Sequence, residues 1–274
     1  MKLIQRHRPE TLSLSRACQL VELPRSTYYA QAEMPDKVFA QDEHVEAFCH
    51  RYSSYGYRRI KHQLQAEGYC IGTGAVRLAM QRLGLRAKKK RPSVRTTLSV
   101  PVETGNLLTT PSGPGQILVA DATWIAMGKG RGLFLAVVMD LYTRQILGHA
   151  FGTRLDTTLT LNALAQAMQT KHPTATWLHH SDRGSTYVSQ SYRGCVMTAG
   201  GNLSFTKPGK PQQNGAMESF FKTLKYEEIH RNEYPSPQNL IEAVRNFFEF
   251  YNAKRLHSSL GYQAPDQFAK GANL

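Results

Sequence analysis

Between Thr104 and Tyr226 the sequence holds only five carboxylates: Asp121, Asp140, Asp156, Asp182 and Glu218. Asp140 stands where a hairpin turn wants Asp, and Asp156 where a helix N-cap does, so structural roles suffice for both. The other three are harder to explain that way. Asp121 directly follows the apolar run Ile117-Leu118-Val119-Ala120, and Asp182 follows Trp177-Leu178-His179-His180-Ser181. Carboxylates at strand ends of a mixed sheet converge on one edge, where open sheets place their sites. Glu218 lies on a helix whose apolar face is Met217, Phe220, Phe221 and Leu224, while Lys222 and Lys225 share its own face. A Glu218–Lys222 pair alone is worth about 0.2–0.5 kcal/mol. It explains neither Lys225 nor the Gly/Pro-rich lead-in from Lys207 to Gly215. Three such carboxylates suit Mg²⁺, which takes hard oxygen ligands and keeps sites open for water and substrate phosphate. The chemistry that follows is in-line displacement at phosphorus. His179 and His180 flank this set and are expected to be packed or supporting groups rather than metal ligands.

The elements that must position these groups are legible from pattern. Ile117–Ala120 reads as a short buried strand ending at Asp121. Leu133–Met139 and Gln145–Phe151 form a hairpin around the turn Asp140–Thr143. A helix follows from about Asp156, with Leu159, Leu161, Leu164, Ala165 and Met168 inward. Thr176–Leu178 leads into a fourth strand, and Leu203–Phe205 is a fifth. Strands first and then alternation with helices predict a mixed α/β sheet flanked by helices. Ser236-Pro237 starts a structural helix carrying Leu240, Ile241, Val244, Phe247, Phe248 and Tyr251 at helical spacing.

The N-terminal part is helical. Ser13 or Ser15 caps a helix with Ala17, Leu20 and Val21 inward, and Leu23-Pro24 breaks the chain before a second. This is either a helix-turn-helix reader or a plain helical hairpin. After Tyr55-Gly56-Tyr57 a helix with Ile60 and Leu64 on one face ends at Gly68. Gly72-Thr73 opens another, with Val76, Ala79, Met80 and Leu83 inward and Gly84 at its C-terminal cap. Its outer face shows Arg77, Gln81 and Arg82, types that reach phosphates and base edges. The run Arg86-Ala87-Lys88-Lys89-Lys90-Arg91 follows, then Arg95; joined to a helical reader it suggests DNA contact.

Charge agrees. The 274 residues carry 34 Lys+Arg against 20 Asp+Glu, a formal +14, and such an excess points to a polyanionic partner. Residues 1–100 hold 18 basic and 8 acidic side chains, net +10; residues 101–274 hold 16 and 12, net +4. A hydrophobic content of 41% excludes wholesale disorder. The longest apolar stretch, Gly132–Met139, is too short to span a bilayer, and the charged N-terminus lacks a signal peptide's apolar centre. Four scattered cysteines, Cys18, Cys49, Cys70 and Cys195, form no Cys-x-x-Cys pair, which fits reduced thiols in a cytosolic protein and no zinc site.

Thirty-five residues separate Asp182 from Glu218, and Lys225 stands seven after the Glu. This resembles the D,D(35)E pattern of retroviral integrases and bacterial transposases. The resemblance extends to the OrfB transposases of the insertion-sequence three family. It is carried by Tyr55-Gly56-Tyr57-Arg58-Arg59-Ile60, Ala120-Asp121-Ala122-Thr123-Trp124, Leu135–Asp140, His180-Ser181-Asp182-Arg183-Gly184-Ser185-x-Tyr187, Asn214–Phe220, and Tyr251-Asn252-x-x-Arg255-x-His257–Tyr262. It spans about residues 42–270, and the combination in this order is highly specific. It departs in two places: Ala120 replaces the usual Thr before the first Asp, and a retroviral N-terminal zinc site is absent.

The resemblance implies an RNase H-like catalytic core with N-terminal helix-turn-helix-type domains. The division expected is a helix-turn-helix-like segment at 1–35, a helical DNA-binding domain with basic linker at 42–95, and the core at 108–270. It implies Asp121, Asp182 and Glu218 as catalytic metal ligands, with Mg²⁺ as cofactor and Mn²⁺ able to substitute. Lys225 and Lys222 would hold DNA near the scissile phosphate, with Asn214 an N-cap first and a DNA contact second. Arg58, Arg59, Arg77, Arg82, Lys88, Lys89, Lys90 and Arg91 are the further DNA-binding candidates. The partner is double-stranded DNA, transposon ends and target, bound by a homo-oligomer. An OrfA partner or an OrfAB frameshift fusion is expected, because the chain starts near where the second frame usually starts. No membrane is involved; the location expected is bacterial, cytoplasmic and nucleoid-associated. The rivals are a DNA-binding regulator on a decayed core, disfavoured by the intact triad, and a simple RNase H-like nuclease, which needs no basic N-terminal modules.

Overall fold

A computed structural model describes residues 9, 12–26, 28, 40–87, 105–128, 130–170, 176–207 and 210–272. Lys88, Lys89, Lys90, Arg91 and Arg95 lie outside the described residues, as does much of the 1–35 segment. The chain divides into two compact units, residues 1–87 and 88–274.

In the first unit α1 (Leu14–Leu20) is capped by Ser13, whose side chain accepts from the Arg16 N–H at 3.3 Å. It buries Ala17 and Cys18, while Leu20 and Val21 are exposed. That corrects the expected inward set, because in so short a helix the buried stripe runs through Leu14, Ala17 and Cys18. Helices α2 (Ala40–Arg51), α3 (Tyr57–Ala66) and α4 (Thr73–Arg82) enclose a core built on Val45, Ile60, Leu64, Val76 and Met80. The two glycines expected after α3 and α4 have positive φ, 91° at Gly68 and 68° at Gly84. At each, the next residue's N–H reaches back to close the helix, Tyr69 to the Leu64 carbonyl at 2.9 Å and Leu85 to Met80 at 2.8 Å. Leu83 is only partly buried and caps α4 at its C-terminus.

The second unit is a mixed sheet of β1 (Ile117–Gly128), β2 (Arg131–Asp140), β3 (Ile146–Gly152), β4 (Trp177–Ser181) and β5 (Gly201–Phe205), in the order β3-β2-β1-β4-β5. β1, β2 and β3 are antiparallel neighbours, and β4 and β5 run parallel to β1. This is the RNase H-like arrangement. Helices α5 (Thr157–Thr170), α6 (Ser185–Val188), α7 (Gln190–Thr198), α8 (Gly215–Glu227), α9 (Pro237–Ala253) and α10 (Pro265–Ala272) complete it. α2, α6, α7 and α10 lack the long apolar periodicity that revealed the others.

Both faces of the sheet are covered, which is why its strands read as continuous apolar runs. Ile117, Val119, Ile125, Leu135 and Val137 pack with α8 and α9. Leu118, Ala120, Ala136 and Val138 pack with α5, Tyr187 and Tyr192. α5 crosses β3 so closely that a β-carbon on Gly148 would fall on the backbone of Ala163 and Ala167. α5 turns Leu159, Ala163, Leu164 and Ala167 inward, whereas Ala165 faces solvent.

Asp140 and Asp156 do the structural work expected of them. Asp140 is fully buried and accepts from the N–H groups of Gly115 and Tyr142, each at 2.8 Å. Asp156 caps α5 through the Leu159 N–H at 2.9 Å. The expected end of β1 at Asp121 is corrected: β1 continues to Gly128, because β2 remains paired along that length. What stops near Asp121 is the parallel partner, since β4 follows β1 only as far as the Val119–His180 pair.

Candidate active site

β1 and β4 separate just beyond Val119 and His180, and the two aspartates stand at the mouth of that fork. Alternation along β1 puts Asp121 and Thr123 on the face shared by Val119 and Ile125, the face covered by α8. Asp182 is the first residue after β4. Its Oδ1 accepts from the Gly184 N–H at 2.9 Å. Arg183, buried beside it, donates from Nε to the Thr206 carbonyl at 2.7 Å, and the Thr206 N–H donates to the Ser181 carbonyl at 3.0 Å. The exit of β4 is thus tied to the exit of β5, which fixes where Asp182 leaves the sheet.

The electrostatics are those of two carboxylates sharing a confined space. Burial pushes the Asp121 carboxyl up to about 8, and the charge of Asp182 adds to the rise. The Ala122 N–H, which donates to Oδ1 at 2.8 Å, and the Lys225 charge oppose it; the Glu218 charge adds a smaller rise. Asp182 is also raised, by burial, against the pull of the Gly184 N–H. Lys225 donates from Nζ to Thr123 Oγ1 at 2.7 Å; burial lowers its pKa and Asp121 holds it up.

Glu218 is arranged differently. Its side chain is half exposed in the first turn of α8 and accepts from Lys222 Nζ at 2.5 Å. Among the described residues no three His, Cys, Asp or Glu side chains stand close enough together to hold a metal ion. Asp121, Asp182 and Lys225 are therefore gathered at the fork, while Glu218 is electrostatically linked to them but turned to Lys222. Lys222 lies one turn away on the same helix and gives Glu218 an i,i+4 cation.

Asn214 departs from its expected first role. It occupies the N-cap position of α8, but its side chain makes no capping bond. Nδ2 donates instead to the Ala120 carbonyl at 3.0 Å, and the residue is buried. It thereby fastens the start of the Glu218 helix to the residue before Asp121. His179 and His180 are packed, as expected: His179 Nε2 meets the Tyr192 hydroxyl at 2.8 Å and His180 Nδ1 meets Ser204 Oγ at 2.9 Å. Burial lowers their pKa values to about 3 and about 4, so both are neutral imidazoles.

Sequence reasoning missed Thr123, the seat of Lys225. The signal was available once β1 was allowed to continue, since Thr123 stands two residues after Asp121 on the same face. It also passed over the role of the C-terminal motif. Asn252 bonds both backbone groups of Ile146 at 2.9 Å. Buried Arg255 holds Glu227, at the end of α8, through two 2.7 Å bonds. In the first unit Arg58 is exposed and Arg59 partly buried, their guanidinium groups 5.2 Å and 5.3 Å from the ring centres of Tyr57 and Tyr55. Arg77 is exposed on α4, whereas Arg82 reaches Asp42 on α2, Nε to Oδ2 at 3.1 Å, with a second bond from Nη2.

The chain is similar to several known proteins. Two profiles described as Integrase core domain match residues 111–211 and 199–265, and one described as HTH-like domain matches residues 40–93. The chain is 35% identical over 264 residues to an uncharacterized 31 kDa protein of insertion element IS600 from Shigella sonnei, covering 92% of this chain and 96% of that one. It is 30% identical over 280 residues to the transposase InsF for insertion sequence IS3A of Escherichia coli strain K12, covering 97% and 96%. A simian T-cell lymphotropic virus intasome chain overlays 82% of this chain and 74% of its own at 17% identity and a TM-score of 0.48. With its core, its helical first unit and nearly its whole length matched, the chain belongs to the integrase-core transposases of the insertion-sequence three family.

Proposed function

We propose that the chain cuts and joins DNA strands at the ends of its insertion element, with Asp121, Asp182 and Glu218 as ligands for divalent metal. The observation that carries this reading is the Asp121–Asp182 pair, two carboxylates whose pKa values are both raised by burial, that of Asp121 further by the charge of Asp182, with Lys225 as the cation that offsets Asp121. Such a pair is costly unless a cation joins it, and its all-oxygen donors suit Mg²⁺, with Mn²⁺ as substitute. When bound, the metal supplies Lewis acidity and an acidified water at the scissile phosphate. The chain's own residues do the rest. Thr123 and Asp121 hold the Lys225 ammonium on the fork side of α8, where it can meet a phosphate oxygen. Glu218 would be the third residue to hold the metal, and Lys222, its present partner, would then be available to the DNA backbone. Asn214 sets the distance between α8 and β1, a positioning role with its DNA contact second.

The working domain division remains 1–35, 42–95 and 108–270. Arg58, Arg59, Arg77 and the run Lys88–Arg91 grip double-stranded DNA outside the core, and Arg82 supports them through Asp42. The enzyme acts as a homo-oligomer on DNA, with an OrfA partner or as an OrfAB fusion, at the bacterial nucleoid. No helix among the described residues is long and apolar enough to cross a membrane. The test is purified protein with end-containing duplex DNA and Mg²⁺ or Mn²⁺. Wild type should cleave and join, and Asp182→Asn should do neither. Absence of both reactions in wild type, with no change on Asp182→Asn, would sink the reading.

A further inference from the structure

Tyr187 is 3% exposed, and its hydroxyl is buried without a hydrogen-bond partner among the described residues. An unpaired buried hydroxyl costs about 1–3 kcal/mol, a cost that phenylalanine, filling nearly the same space, would not carry. Its neighbour Tyr192 shows the usual solution, a bond from its hydroxyl to His179.

The place of the unpaired hydroxyl gives it a purpose. The Tyr187 N–H donates to the Gly184 carbonyl at 3.0 Å, so the first turn after Asp182 folds the ring back toward that residue. A β-carbon on Gly184 would lie 3.0 Å from Asp182 Oδ1 and 3.7 Å from Tyr187 Cδ2, so carboxylate and ring flank one glycine. On the other side the ring packs in the cluster that contains Ala120 and, at its margin, Ala122, which flank Asp121 in β1 from the opposite face of the sheet. Burial, then the charges of Tyr192, Asp121 and Asp182, hold the phenol well above its usual range, so it remains a protonated donor.

We propose that Tyr187 is a positioning residue of the strand-cleavage centre, its hydroxyl a buried donor held for the oxygens gathered at Asp121 and Asp182. Resting on the metal-ligand reading above, it acts by orienting that carboxylate pair toward a divalent cation. Groups that hydrogen-bond to metal ligands are worth tenfold to a hundredfold in metal affinity or activity.

The test is Mn²⁺ binding to the full chain, followed by electron paramagnetic resonance without DNA, alongside unfolding in EDTA. Tyr187→Phe should unfold no earlier than wild type in EDTA, yet bind Mn²⁺ about tenfold more weakly and lose a similar factor in end cleavage. Tyr192→Phe should do the reverse, unfolding earlier while keeping wild-type Mn²⁺ affinity. Placing 4-aminophenylalanine at position 187 restores a donor and should restore affinity. Equal Mn²⁺ affinity in wild type and Tyr187→Phe overturns this inference alone, whereas no Mn²⁺ binding by wild type overturns the metal-ligand reading beneath it. Should Tyr187→Phe not fold, a folded 4-aminophenylalanine chain that has lost Mn²⁺ affinity would equally refute it.

Discussion

Replacing Asp121 by Asn should stabilise the metal-free protein, and the gain should grow with pH. The unfolded carboxyl titrates near its ordinary 3.8, and the folded one is pushed up to about 8. A raised folded pKa means the native state holds its proton through that window while the unfolded chain releases it. Stability is then fully present below pH 4 and is lost as pH rises toward 8. At about 1.4 kcal/mol per pKa unit, the difference between pH 5 and pH 8.5 is bounded by roughly 4 kcal/mol. Water entering the fork and partial exposure reduce that to ~1–3 kcal/mol. The amide keeps an oxygen for the Ala122 N–H and removes the charge that opposes Asp182. For a unit of this size about 2–4 °C accompanies each kcal/mol, so a gain of about 2–12 °C in Tm is expected at pH 8.5 in EDTA. Tryptophan fluorescence reads the right unit, because Trp124 and Trp177 are the only two tryptophans and both lie in the core. Adding Mg²⁺ should stabilise wild type and erase the advantage. A Tm change of the same size and sign at pH 5 and pH 8.5 would refute the reasoning, since only an ionised Asp121 can produce the slope.

Four further outcomes follow from other contacts. Glu227→Gln or Arg255→Met should each cost about 3–5 kcal/mol in urea unfolding by breaking a buried ion pair, and the double variant less than their sum. Lys222→Ala should change stability by no more than about 0.5 kcal/mol but tighten Mn²⁺ binding, because Glu218 is released; weaker binding would contradict the exchange. Arg77→Ala should lower DNA affinity and reduce the salt slope by about 1, while Arg82→Ala should chiefly lower the melting point of the first unit through Asp42. His149, lowered to about 4 by burial and Arg245, and His179, lowered to about 3, are neutral in the folded chain. Their contribution to stability is present above about pH 6.5 and lost as pH falls toward those values, so His149→Gln should flatten the acid limb of a Tm–pH curve.

What could be read from sequence followed from periodicity and spacing. The apolar faces of α8 and α9 were visible because long helices repeat their buried positions. Asp140 and Asp156 were assignable because turns and caps have local chemistry. The end of β1 was misread because Asp121 and Thr123 interrupt the apolar run, and nothing local says that β2 continues alongside. Arg82 looked like Arg77 because an outward position on α4 does not reveal that Asp42, forty residues earlier, supplies a carboxylate fork. Asn214 carried the same ambiguity. An Asn before a helix reads as a cap, and only the approach of β1 offers the Ala120 carbonyl as a stronger claim on its amide.

The fork also explains why the site needs so much support at a distance. Burial raises the pKa of both aspartates, so an ionised pair there is costly, and the helix bearing Glu218 packs on the sheet face that carries Asp121. It is held at its start by Asn214 on Ala120, and in its last turn by Lys225 on Thr123 and Arg255 on Glu227. These three restraints lie along one helix and leave the Glu218 carboxylate itself on an exposed pair that can exchange. Backbone placement and side-chain mobility are thereby separated: α8 cannot drift, yet its carboxylate can turn. A metal arriving at Asp121 and Asp182 would need only that rotation and the release of Lys222. The same contacts that look like ordinary fold stability are what make a destabilising carboxylate pair tolerable before the metal arrives.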